Sequence, residues 1–188
     1  MDAKSHVCVD AMNNKQLVDL LLELPKKILR HEDLAALSQI ILHELCHKDR
    51  LDLKKATYLI DNPDFGCMKG VAGFCQNECK LHKQDLWQDP QGFDKDMSSA
   101  DFHNKIQGFR HDSLSEQALK LRDSKELIEL GKEMGIADPN IYTWDMRHGN
   151  RGILMFEDDK ADTCQGACKK DAAMLDKVSA MLGLCRVH

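Results

Sequence analysis

Apolar residues recur along most of this chain at the three- and four-residue spacing of helices that bury one side. Asn13 or Asn14 caps a first helix carrying Leu17, Leu20, Leu21 and Leu24; Pro25, which has no amide donor, interrupts it, and a short piece continues to Arg30. A second helix is predicted over 32–48, with acidic residues in its first turn and Leu34, Leu37, Ile41 and Leu45 on one stripe. A short helix over 52–60 follows, stopped by Asp61-Asn62-Pro63-Asp64, and then a longer one over 67–87, whose first turns are weakened by Gly70 and Gly73. Asp89-Pro90-Gln91-Gly92 marks a turn. Ser98 or Ser99 caps a helix to about residue 109; Ser113 with Glu116 makes a capping-box pattern for the next, which Gly135 ends.

After Asp138-Pro139 the period shortens to two. Tyr142, Trp144 and Met146 alternate with other residues, a turn follows, and Ile153-Leu154-Met155-Phe156 returns the chain as a β-hairpin. A last helix over 162–184 carries Cys164, Cys168, Leu175, Val178, Leu182 and, just beyond it, Cys185 on one stripe. The pattern therefore predicts a mainly α fold: a single-domain helical bundle of about six to seven helices spanning 1–188, with one small β-hairpin near residues 141–157.

Composition narrows the class of protein. With 43% hydrophobic and 30% charged residues, the 188-residue chain reads as soluble and globular. Its formal charge of -5, from 31 acidic and 26 basic side chains, supplies no basic field for nucleic acid. The polar N-terminus lacks a signal core, and no apolar run is long enough to span a bilayer, so the chain is expected to be cytoplasmic, with no membrane partner. Eight cysteines in that setting point to metal binding, redox chemistry or core packing before a disulfide framework.

The sharpest chemical signal is His43-Glu44-Leu45-Cys46-His47, an H-E-x-x-H run. Two histidines four residues apart on a helix share one metal, and the glutamate between them acts on a bound water. His43 and His47 are thus candidate ligands and Glu44 a candidate ligand or general base. The extended protease pattern fails, because Arg50 stands at the glycine position and Leu53 at the third-histidine position. Asp61, Asp64 or Glu78 would have to supply the missing ligand. Glu44 and His47 also spell E-x-x-H, but the second such element of a di-iron bundle is missing.

Cys75 with Cys79, and Cys164 with Cys168, are spaced to put paired thiols on one helical face, and His82 extends the first pair. Cys75, Cys79 and His82 are the second candidate ligand group; Cys164 and Cys168 read as core. Mixed nitrogen and sulfur donors suit zinc or iron. Arg147, His148 and Arg151 at the hairpin turn read as a solvated turn, with contact to an anion as the alternative. The leading functional expectation is a metal-binding protein. A zinc-dependent hydrolase using Glu44 and a helical interaction protein without a metal are the alternatives.

Overall fold

The two segments that read as consecutive helices across Asp61-Asn62-Pro63-Asp64 are the strands of a hairpin. β1 (Leu53–Asn62) and β2 (Cys67–Cys75) pair antiparallel, with Asn62 opposite Cys67 and Lys55 opposite Cys75. The break predicted there is the turn of this hairpin. Asn62 Oδ1 accepts from Phe65 N at 3.2 Å over a 3-10 turn, Pro63–Phe65, and Gly66 at φ +60° closes it in the left-handed region. The structure, a computed structural model, describes residues 14–30, 37–46, 53–78, 86–120, 124–158, 172–183 and 185.

Before this hairpin come α1 (Asn14–Arg30) and α2 (Leu37–Cys46). Pro25 lies inside α1, which runs on through it to Arg30. After it come α3 (Pro90–Met97), α4 (Asp101–Gln107), β3 (Arg110–Asp112), α5 (Glu116–Lys120) and α6 (Lys125–Met134). The turn predicted at 89–92 opens α3: Asp89 accepts from Gly92 N, and Pro90 takes a first-turn position where no amide donor is required. Ser124 caps α6 by accepting from Leu127 N, and Gly135 at φ +93° ends it, as the glycine signal predicted.

The hairpin expected near 141–157 forms from β4 (Asn140–Asp145) and β5 (Arg151–Asp158), but it does not stand alone. β5 also pairs with β1, giving a five-stranded antiparallel sheet in the order β3-β2-β1-β5-β4. α7 (Ala172–Gly183) follows. The fold is therefore α/β, and the expected mainly helical bundle with one small hairpin is corrected by this sheet.

Helices cover both faces. Ala56, Tyr58 and Ile60 of β1 share a core with Leu24 and Ile28 of α1, most of α2, Phe93 of α3 and Leu182 of α7. Leu59 of β1 looks the other way, into a second core with Ile106 of α4, Leu119 of α5 and Leu130 of α6. A strand covered on both sides has no polar face, so its period of two disappears and it reads as an apolar run like that of a buried helix. That is why the pattern over 52–60 and 67–75 predicts helix where the chain forms strands. In β2 the glycines permit close packing: a Cβ on Gly70 would run into the Ile106 carbonyl of α4, and one on Gly73 would lie 2.6 Å from Ile106 Cγ1.

Candidate functional site

The H-E-x-x-H segment forms a helix, as its spacing predicts, but α2 lies in the core. His43 is 6% exposed, and its ring stands edge-on to Phe74 of β2 and Phe93 of α3, at centroid distances of 5.0 and 5.7 Å. Glu44 is partly buried and accepts a hydrogen bond from Trp87 Nε1 at 3.2 Å. His47, Cys79 and His82 lie outside the described residues, as do Cys164 and Cys168.

Cys75 ends β2 and is not on a helix. It belongs to the core beneath α4, whereas the neighbouring Phe74 points to the α2 side and meets His43. Cys75 and His43 thus face opposite sides of one sheet. Of the acids considered as a third ligand, Asp61 is fully buried on the Leu59 side of β1, Asp64 is exposed in the hairpin turn, and Glu78 accepts from Phe102 N at 3.0 Å. Among the described residues no group of three or more His, Cys, Asp or Glu side chains is placed to hold a metal ion.

The other end of the sheet carries an open cleft of about 1110 Å³, between the β1–β2 hairpin, the β4–β5 turn and the last turns of α7. Its sheet-side wall is Ile60, Trp144 and Met146; α7 contributes Ser179, Ala180 and Gly183. The alternation of β4 places Tyr142 and Trp144 on one face, as the sequence pattern predicts. Trp144 stacks on Tyr58 at 5.7 Å and 15° between ring planes, and its indole lies on Gly152, where a Cβ would collide with the ring. On the far side, the Cβ position of Gly183 is 3.8 Å from Trp144 Nε1.

Behind this wall the polar groups are anchored. The Tyr58 hydroxyl donates to the Leu182 carbonyl at 3.5 Å and lies 3.7 Å from Met146 Sδ. Burial raises its pKa, with the neighbouring Cys185 adding to the shift. Tyr142 donates to Asp176 of α7, tying β4 to that helix. Cys185 borders the cleft; burial pushes its thiol up to about 11, against the smaller opposing effect of a hydrogen bond with Ser38. It is protonated near neutral pH and is a poor nucleophile.

Two polar atoms of the cleft walls, Trp144 Nε1 and Asn150 Oδ1, are buried without a hydrogen-bond partner among the described residues. The rim carries Lys69 from β2, and Arg147 and His148 from the β4–β5 turn, against the single carboxylate of Asp145. Met146 N donates to Asn150 O at 2.8 Å across this turn, and His148 at φ +60° with Gly149 at φ +69° bends it back in the left-handed region. Arg151 leaves the group expected at this turn: its guanidinium lies on the opposite face of the sheet, 3.7 Å from Asp61. The sequence marked Trp144, Arg147 and His148, but not the return of α7 that makes a cleft of them.

No family model and no curated protein matches this sequence. Among solved structures, this chain is similar to SdiA in complex with octanoyl-rac-glycerol, with a TM-score of 0.43 and 12% sequence identity. The match covers 97% of this chain and 66% of that one, so the chain spans about two thirds of that protein's length.

Proposed function

We propose that this chain is a ligand-binding domain that takes a small organic molecule into the cleft between the β4–β5 turn and α7. The observation that supports this best is the cleft itself: about 1110 Å³, lined by the Trp144 ring and the apolar side chains of Ile60, Met146 and Ala180 beside a smaller set of polar and charged groups. Ligand sites commonly combine an apolar lining with a few placed polar groups in a volume of roughly 300–1,000 Å³. The two unmatched polar atoms in its walls fit the same reading, since a buried donor or acceptor left unpaired costs about 1–3 kcal/mol. A binding role without catalysis accords with the protonated state of Cys185. No helix among the described residues is long and apolar enough to cross a membrane. A cytoplasmic site of action is part of the proposal and is supported by the thiols of Cys67, Cys75 and Cys185, which are free among the described residues.

Trp144 makes the test direct. The chain has two tryptophans, and Trp87→Phe leaves Trp144 as the sole indole reporter in the cleft wall. A small-molecule screen read by both thermal shift and Trp144 emission is expected to find compounds that raise the melting temperature and change the emission together. Both responses are expected to vanish in Ala180→Phe, which obstructs the cleft from α7 without adding a second indole. A screen in which no compound moves either signal, or in which Ala180→Phe responds like the parent, refutes the proposal.

A further inference from the structure

We infer that the ligand of this cleft is an amphipathic organic anion, whose carboxylate or phosphate head sits at the Arg147–His148 turn and whose apolar body lies along Trp144. This inference rests on the ligand-binding reading above and adds the ligand's chemistry. The lining is richer in cationic than in anionic side chains although the chain's net charge is -5: Lys69 and Arg147 border the cleft together with His148, and Asp145 is the one carboxylate among its lining residues. Arg147 is exposed and makes no ion pair among the described residues, so its guanidinium retains its donors for a ligand. A guanidinium presents paired N–H groups in a planar fork that matches two oxygens of a carboxylate or phosphate.

The apolar half is equally defined. Ile60, Trp144, Met146 and Ala180 leave the deeper wall without a formal charge, so a small inorganic ion would use only the rim. An anion with a hydrocarbon or aromatic body uses both.

Three ten-carbon probes separate the components: decanoate, decyl phosphate and decanol, each kept monomeric and titrated into the full chain while Trp144 emission and heat are recorded. The two anions are expected to bind at least about tenfold more tightly than decanol, a preference of the size that charge-assisted hydrogen bonds give. Arg147→Ala is expected to abolish that preference without changing the melting temperature of the unliganded protein. Ala180→Phe is expected to weaken all three.

Equal binding of the three probes overturns the anion inference and leaves the ligand-binding reading standing. Binding of the anions that neither the rim variant nor Ala180→Phe changes places them elsewhere and overturns the inference as well. Failure of all three probes, alongside other compounds that shift both signals in the wider screen, overturns this inference alone. Failure of every compound in that screen overturns both readings.

Discussion

Arg151→Met should destabilise this protein far more than Asp61→Asn, although the two residues form one ion pair. Asp61 is 0% exposed on the α4–α6 side of the sheet, directly opposite Arg151 in the β1–β5 register, with Nη1 of Arg151 3.7 Å from its Oδ2. Neither Asp61 oxygen has a hydrogen-bond partner, and the Arg151 side chain keeps 20% of its surface in solvent. At this separation and an effective dielectric of about 20, the attraction is about 4–5 kcal/mol. Removing the guanidinium leaves a carboxylate buried and uncompensated, at a cost of about 3–5 kcal/mol.

Removing the charge on Asp61 has a different balance. It relieves the desolvation of the carboxylate; Nη1 of Arg151 is itself buried, but a fifth of that side chain keeps contact with water, so the cost falls to about 1–3 kcal/mol, that of an imperfectly matched polar group. Replacing both, with Asp61→Leu and Arg151→Met, should return stability to near the starting value or raise it by about 1–4 kcal/mol. Urea unfolding at neutral pH, followed by circular dichroism, measures all three variants. If Asp61→Asn costs more than Arg151→Met, or if both lie within error of the parent, the carboxylate is not the desolvated member of the pair and the reasoning fails.

Gly70→Ala should destabilise by about 1–3 kcal/mol or more, because the new methyl meets the Ile106 carbonyl rather than a side chain that can move away; thermal unfolding reports it. Burial lowers the pKa of His103, against smaller opposing effects from its hydrogen bond with Gly73 and from Asp94. The unfolded chain, with its imidazole near 6.5, then binds more protons than the native state. Stability should therefore fall as pH drops below that value, and His103→Gln should make the loss between about pH 7 and 5 shallower in denaturant titrations. Peptide mapping after brief iodoacetamide treatment should find exposed Cys67 alkylated well before Cys185, whose thiol is buried and held protonated.

The local signals in the sequence were mostly sound; what they joined was not legible. The Asp61–Asp64 break, the glycine stop at Gly135 and the Tyr142/Trp144 alternation all correspond to features of the fold. The error came where two helical layers hide both faces of β1 and β2, so that Leu53–Asn62 lost the polar alternation that identifies a strand. The same burial changes the meaning of the histidine motif. Helical spacing aligns its donors, but it does not reveal that Phe74 and Phe93 flank His43 or that Cys75 faces the other side of the sheet. The cleft escaped notice for a related reason: Trp144 and Ala180 lie far apart in sequence, and only the return of α7 over the sheet brings them to one place.

Trp144 is held between two residues that have no side chain, Gly152 below and Gly183 above. The width of the cleft is therefore set by positions whose effect on a ligand would be indirect. A methyl added at 152 meets Cε2 and Cζ2 of the indole and forces the ring to move, while the charged side chains at the rim are untouched. The size of the opening and the charge at its edge thus rest on different residues.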